Sequence, residues 1–559
     1  MAKIKLLALG GQDEKGKNCF VLDIDNEIFI FNAGAKLPDN NMYGVNNIVA
    51  DYNYLHKNVK RIKGVFIATP VYNNLMGLKH LLAQTDYNLP IYTSPIGAIV
   101  IEKMFETKIN NKLVKPNIVQ VKTFEDLKVG NIIINAFKVT NSIPNSLAFV
   151  LKTKDGNIVY VDDFIISNDK NKTFESQVIN AHQILRNNTL AVIMGMNNAG
   201  KKGLTAPHHR NKGFYEDVLS KTENRMFVGC YAHDVYTIFS LATLAKQTNR
   251  PFIIYSQTFI NVFNGIIRQR LYSPKNLISL PISEINKNDN AIVVIIENQD
   301  SLFPRLNKIL DDEDKIVHLN DKDSLVLGVG ITPGYESLAA DLSDHVHKLN
   351  IPYFTLPKAI LPMQACDEDI KHFVNVMNPK YVVPLGGLYK TEMKFVEALK
   401  TTKVLPDNII SLDNGQIKTI VDKNLEKDVE TIHLVEKMIS NFNTLDVGEG
   451  ILYERRQMGE NGIIILTMAF DKKHQRLIDF IDFKYFGVVN KNKSTNEVVK
   501  EIEDNFKTSL AECIVYDKQK RLNMKETKNN ARRLLAKLFE KKFNKRPLVL
   551  PTIIDYYEA

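Results

Sequence analysis

The 559-residue chain is too long for one ordinary core, and its 44% hydrophobic and 24% charged residues are those of a globular protein rather than a disordered one. Its formal net charge of +9 lies in a single stretch: from Asp517 to Arg546 twelve Lys/Arg stand against Asp517, Glu526 and Glu540. No apolar run reaches the roughly 20 residues of a membrane helix, and the cysteines Cys19, Cys230, Cys366 and Cys513 form no C-x-x-C pair, which argues against a zinc knuckle or a disulfide framework and leaves them as buried thiols.

In chain order, "MAKIKLLALGG" is too short and reaches glycine too early for a secretory signal, so a cytoplasmic protein is expected. From Lys3 to about Leu204 short apolar runs recur as strands: "IKLLALGG", "CFVLDI", "EIFIFNAG", "GVFIAT", "PIYT", "IIINAFKVT", "LAFVLKT", "NIVYVDDF" and "LAVIMGM". Several end in Gly, Asn or Asp, as strands do when they deliver residues to an edge. Gly10, Gly11 and Gly16 lack the G-x-G-x-x-G spacing of a nucleotide loop and suit a turn with positive φ. Gly64 to Leu82, "GVFIATPVYNNLMGLKHLL", reads as a buried strand, a loop and an apolar helix, a common place for an active site. Its loop, Thr69, Pro70, Val71, Tyr72, Asn73 and Asn74, holds no strong metal ligand, general base or activated nucleophile.

From about Pro207 to Asn350 longer helical stretches alternate with buried strands such as "RMFVGCY", "PFIIYS", "AIVVIIE" and "SLVLGVG", an α/β unit with a parallel sheet. His345 and His347 lie two apart on a helix there and point in different directions, so a shared metal is not expected. "PHHR", with His208 and His209, and His233 in "CYAHD" are candidates for a new site. Strands return at "IPYFTLP", "PKYVVPLGG" and "IKTIV". The charged segment "DKNLEKDVE" then leads to an α+β region from about Thr431. In it Ala531, Leu534, Leu535, Leu538 and Phe539 mark one helix face, and Lys528, Arg532, Arg533, Lys537 and Lys541 a basic one, either solvated or in contact with a polyanion. One α/β domain inserted into another, followed by a third unit, explains this order.

Read in order, the chain resembles ribonuclease J, a bacterial branch of the metallo-β-lactamase/β-CASP nucleases. "ALGGQDEKGKN", "FNAGAKLPDNNMYGVNNIVADYNYL", "NSIPNS", "NIVYVDDF" and "KRPLVLPTII" carry the resemblance over nearly the full length. It implies an α/β fold: a metallo-β-lactamase αββα sandwich over residues 1–206 and 351–422, a β-CASP domain at 207–350, a linker at 423–440 and a small α+β domain at 441–559. It also implies two zinc ions that activate water and stabilise phosphate charge. The family's H-x-H-x-D-H places fall on Thr69, Val71, Asn73 and Asn74. Its strand-end aspartate falls on Asn32, a histidine on Asn141, the inserted-domain acid on Gly195 and a further histidine on Gly386. Asp163 alone keeps a ligand type, and one carboxylate cannot hold two zinc ions. The loop is then expected to be a metal site without zinc, refilled for packing. "TPGY", with Pro333 and Gly334, stands where the family has a turn feeding a phosphate pocket.

Two functions follow as expectations. One is a non-catalytic ribonuclease J-like subunit that binds RNA and assembles, as a homo- or hetero-oligomer, with an active ribonuclease J in RNA processing or mRNA decay, without membrane contact. The other is a ribonuclease with a relocated or metal-independent site drawing on Asp163, His208, His209 or His233. A stand-alone RNA- or ribosome-binding scaffold is a third.

Overall fold

The architecture rests on two sheets that share one aromatic core. A computed structural model describes residues 2–38, 44–106, 113–167, 172–273, 276–331, 334–439, 449–471, 473–489 and 493–556. Among the described residues, 2–37 and 47–437 belong to one compact unit; the other comprises 38, 44–46 and the described residues from 438 onward.

In the first unit an eight-stranded sheet has Lys3–Gly10, Cys19–Ile24, Glu27–Phe31 and Ile62–Ile67 at its centre, and a six-stranded sheet runs from Tyr381–Leu385 through Thr189–Gly195, Gly156–Val161 and Ser146–Thr153 to Ile132–Val139 and Leu127–Val129. Phe29, Phe31 and Phe66 of the first meet Phe149 and Tyr160 of the second, with Phe31 and Tyr160 stacked at 4.2 Å. Strands buried on both faces read as continuous apolar runs, which is why "CFVLDI" and "NIVYV" lack alternation. Phe373 of helix Asp367–Met377 and Phe395 and Leu399 of helix Tyr389–Leu399 cover the outer face of the six-stranded sheet.

The inserted segment forms a parallel six-stranded sheet in the order Ser279–Leu280, Phe252–Tyr255, Ile292–Glu297, Met226–Tyr231, Ser324–Leu327, Tyr353–Thr355. Helix Val235–Gln247 packs on one face and helices Leu302–Leu310 and Glu336–Lys348 on the other. The buried Arg225 guanidinium is matched by Asp323, with bonds at 3.0 and 2.6 Å, and by the carbonyls of Ile285 and His318.

Two expected boundaries are corrected. The break at 350 comes one strand too early: Tyr353–Thr355 pairs with Ser324–Leu327, because the helix between them is the crossover of a βαβ unit, which returns the chain to the same sheet. The segment 423–440 is not wholly a linker: Asn424–Thr431 pairs with Gln416–Val421, and Asp422 and Lys423, at φ 48° and 64°, make the two-residue hairpin turn. Its charged composition is that of an exposed edge strand.

The second unit has a three-stranded sheet, Arg476–Phe486, Ile463–Asp471, Leu548–Tyr556, with helices Lys493–Ser509 and Met524–Phe543 on one face. Ala531, Leu535 and Phe539 are buried there, as the helical spacing requires, and Arg532, Arg533, Lys537 and Lys541 are exposed. The sheet leaves Phe480, Phe486, Leu550 and Ile554 exposed. No helix among the described residues is long and apolar enough to cross a membrane, and the four cysteines are free and buried.

Candidate functional site

Strands of both sheets deliver the candidate residues to one place. Asn32 follows Glu27–Phe31 in a left-handed conformation, φ 63°. Thr69 to Asn74 follow Ile62–Ile67, and Asp162 and Asp163 follow Gly156–Val161. Main-chain bonds fix the loop: the amide of Asn18 donates to the Asn73 carbonyl at 3.0 Å, that of Ala33 to the Asn74 carbonyl at 2.8 Å, and that of Gly77 to the Ala33 carbonyl at 2.8 Å. A side chain at Gly34 would place Cβ 1.6 Å from the Asn73 carbonyl oxygen, so only glycine permits this approach.

The centre is a residue that sequence reasoning passed over. Asp162 is buried, and its Oδ1 accepts from the Tyr160 hydroxyl and Asn32 Nδ2, both at 2.9 Å. Its Oδ2 accepts from Asn74 Nδ2 at 3.0 Å, and the Thr69 backbone N–H also donates to it. These four donors match the acceptor capacity of an ionised carboxylate. Burial pushes its pKa up to about 7, against the pull of Asn32 and Tyr160. Asn74 also donates to the Thr69 carbonyl and accepts from Asn18 Nδ2 at 2.7 Å; Asn141 donates to Thr69 Oγ1 and the Asp163 carbonyl and accepts from the Ile143 amide and Ser146 hydroxyl. Asp163 accepts from Asn197 Nδ2 at 2.9 Å and Gln364 Nε2 at 3.1 Å, and burial raises its pKa too. Gly195 presents no side chain; a Cβ there would lie 3.3 Å from Asp163 Oδ1.

The site is not refilled for packing, as the sequence suggested. A cavity of about 540 Å³ remains, lined by Thr69, Val71, Asn73, Asn74, Asp162 and Asp163. The carboxamides of Asn32, Asn74 and Asn141 are spent on hydrogen bonds rather than on filling space. Asn141, Gly195 and Gly386 also line it, as do His209 and His233 from the inserted segment; His208 is exposed outside it. His233 stacks on Tyr231 at 5.4 Å, and burial lowers its pKa to about 4, so it is neutral at physiological pH. Cys19 is on the wall, its thiol pushed up to about 12 by burial and so protonated. His345 and His347 are on helix Glu336–Lys348, where His345 Nε2 lies 3.4 Å from Asp311 and His347 Nδ1 2.6 Å from the Ser343 carbonyl. Pro333 lies outside the described residues. The Gly334 amide donates to the Glu336 carboxylate at 2.7 Å, so an acid of this chain holds the group expected to meet phosphate.

The model of the ribonuclease J C-terminal domain matches residues 450–556. Ribonuclease J 2 of Staphylococcus epidermidis is 26% identical over 99% of this chain and 98% of its own length, and that of Staphylococcus aureus (strain MRSA252) is 24% identical over the same shares. This chain belongs to the ribonuclease J family. The uncharacterised protein MG423 of Mycoplasma genitalium is 37% identical over 99% of this chain and all of its own. A solved Enterococcus faecalis protein of unknown function shares the fold at 12% identity and a TM-score of 0.50, over 75% of this chain and 100% of that one. The two-sheet core, inserted parallel sheet and C-terminal unit are thus the metallo-β-lactamase, β-CASP and C-terminal parts of the ribonuclease J architecture.

The zinc pair that ribonuclease J resemblance implies does not fit the residues present. Among the described residues no group of three or more His, Cys, Asp and Glu is placed to hold a metal ion. The carboxamides of Asn32, Asn74 and Asn141 turn their N–H donors inward to Asp162, Thr69 and the Asp163 carbonyl, and an N–H donor is no ligand for a cation.

Asp162→Ala strands several buried donors, each worth about 1–3 kcal/mol when left unmatched. It should lower the midpoint of thermal unfolding by several degrees, and by more than Asp163→Ala, whose donor Asn197 is exposed. The native carboxyl keeps a proton up to about pH 7, whereas the unfolded one loses it near its ordinary 3.8. The stability tied to Asp162 should therefore fall as pH rises between those values and level off above. Urea unfolding of wild type and Asp162→Ala across that range measures the difference.

Proposed function

We propose that this chain is a non-catalytic, RNA-binding subunit of a ribonuclease J assembly in RNA processing or mRNA decay. The observation that carries the reading is the hydrogen-bonded carboxylate of Asp162 at the strand ends where the family's ligand places converge. Asn32, Thr69 and Asn74 all serve that anion. Val71, Gly195 and Gly386 offer no ligand atom in their side chains. Two-metal hydrolysis needs cations there to activate water and to take up the charge developing on phosphate. The protein purified free of any paralogue is expected to contain less than a tenth of a zinc per chain by elemental analysis, and to leave 5′-monophosphorylated RNA intact in single-turnover reactions. Stoichiometric zinc located at this site by anomalous scattering would falsify the reading.

A second reading, a ribonuclease with a relocated site, draws on Asp163, His209 and His233 lining one cavity. Cleavage by zinc-free protein, abolished by His233→Ala, would favour it.

Helix Met524–Phe543 supports RNA contact. Among the described residues none of Arg532, Arg533, Lys537 and Lys541 is held in an ion pair, and all four are exposed. Lys528, half-buried, borders them. Phosphate contacts release condensed counterions, so affinity should fall steeply with salt. Reversing Arg532, Arg533 and Lys537 to Glu should flatten the slope of log affinity against log salt by about two to three; an unchanged slope leaves these residues a solvated face.

Assembly is supported by the sheet of the C-terminal unit, which exposes Phe480, Phe486, Leu550 and Ile554. Apolar surface of this kind is retained where a partner covers it. Sedimentation at micromolar concentration should show an oligomer of this chain, alone or with an active ribonuclease J, that Phe486→Asp weakens; monomers in both samples would favour a solitary RNA- or ribosome-binding scaffold.

A further inference from the structure

The cavity retained at the strand ends has an unusual distribution of charge. One wall, made of the buried Asp162 and Asn211 and the half-buried Asp163 and Asp234, is rich in acceptors. Asp163 takes one donor on each oxygen, which leaves a lone pair open on both. Asn211 is buried on the same wall, and its Oδ1 has no hydrogen-bond partner while its Nδ2 donates to Thr237 at 2.7 Å. Asp162 and Asp234 add two more carboxylates, and among the described residues neither they nor Asp163 is paired with a cation. The cations lie outside: Lys15 and Lys201 line the cavity but are exposed, and Lys201 Nζ reaches the neutral Asn198 Oδ1 at 2.8 Å. The rings of Tyr72, Tyr231 and Tyr236 also line the cavity.

Such a wall repels a phosphate and accepts N–H groups. We infer that the cavity binds a guanine nucleotide with its base inward and its phosphate at the rim, the N1–H and N2–H edge on Asp163 and the phosphate beside Lys15 and Lys201. Guanine is the base whose edge offers two parallel donors, the pairing a carboxylate accepts in bidentate fashion. Uracil presents its N3–H between two carbonyl oxygens, which a carboxylate repels; adenine and cytosine offer an amino donor beside a ring acceptor. Tyrosine rings supply stacking for any base, so they add affinity without choosing among bases. The inference rests on the metal-free reading above, because cations at Asp163 would reverse the polarity of the wall. A free nucleotide and a guanosine at the end of an RNA chain present the same chemistry.

Equilibrium dialysis of the full-length chain with GMP, IMP and UMP tests this, with zinc measured on the same sample. GMP should bind about tenfold or more tighter than UMP. IMP, which lacks the 2-amino group, should fall between them, a comparison that leaves the protein unaltered. Asp163→Asn should bring GMP down to the level of UMP with an unchanged circular dichroism spectrum, and Lys201→Ala should weaken GMP but not guanosine. Short RNAs ending in guanosine or uridine identify the source: tight GMP binding assigns the free nucleotide, and a preference confined to the oligonucleotides assigns the RNA end. Equal affinity for GMP and UMP with no guanosine preference in the oligonucleotides, or full GMP affinity in Asp163→Asn, would overturn the inference. In zinc-free protein that result leaves the non-catalytic reading standing; stoichiometric zinc removes both.

Discussion

A carboxylate buried without a counter-cation must be solvated by the protein itself. Asp162 meets that requirement with donors from separate parts of the chain: Asn32 at the end of one sheet's strand, Asn74 and the Thr69 amide from the loop, and Tyr160 from its own strand. One charge thereby ties the ends of the two sheets together, where the shared core of Phe31, Phe66, Phe149 and Tyr160 ends. The identities around it are mutually dependent. A carboxamide has nearly the shape of a carboxylate but offers N–H groups, so Asn at positions 32 and 74 serves an anion where an acid in the same place would repel it.

That dependence also bears on the open space. Filling the cavity with apolar side chains would leave Asp162 and Asp163 with fewer polar neighbours. Instead the carboxamides of Asn32, Asn74 and Asn141 donate to acceptors at the floor, and the volume above them stays open. Lys15 and Lys201 are exposed, whereas Asp162 is buried and Asp163 and Asp234 are half-buried, so the two signs of charge sit at different depths.

Much of the fold was legible because strands buried on both faces and amphipathic helices leave periodicities that tertiary contacts reinforce. The strands from "IKLLALGG" to "LAVIMGM" and the helix bearing Ala531, Leu535 and Phe539 stand where those patterns placed them. What failed was the assignment of short segments to sheets. "IPYFTLP" is apolar in either sheet, and only the βαβ crossover decides that it pairs with Ser324–Leu327. "NLEKDVET" looks like a linker because an exposed edge strand has no buried face to betray it. In the site, Asp163 stands at a ligand place and Asp162 does not. The signal was present in "VDDF": two adjacent acids at the end of a buried strand project to opposite sides, so one of them had to be accommodated inside. Its donors come from positions 88 and 130 residues away, which no local pattern reveals.

The loop from Thr69 to Asn74 is held through its backbone, by amides of Asn18 and Ala33 and by the close approach of Gly34. Its shape is therefore set largely by main chain, to which the Asn74 carboxamide adds one bond within the loop, to the Thr69 carbonyl. A single substitution at Thr69, Val71 or Asn73 therefore leaves the main-chain frame in place. A change toward metal ligands does not come so freely. A histidine placed at Asn74 takes a donor from Asp162 before any other ligand exists to recruit a metal, and an aspartate placed at Asn32 sets a second buried charge beside the first. The main chain keeps the door in its frame while Asp162 turns the lock, so a metal site built here one residue at a time loses stability before it gains an ion.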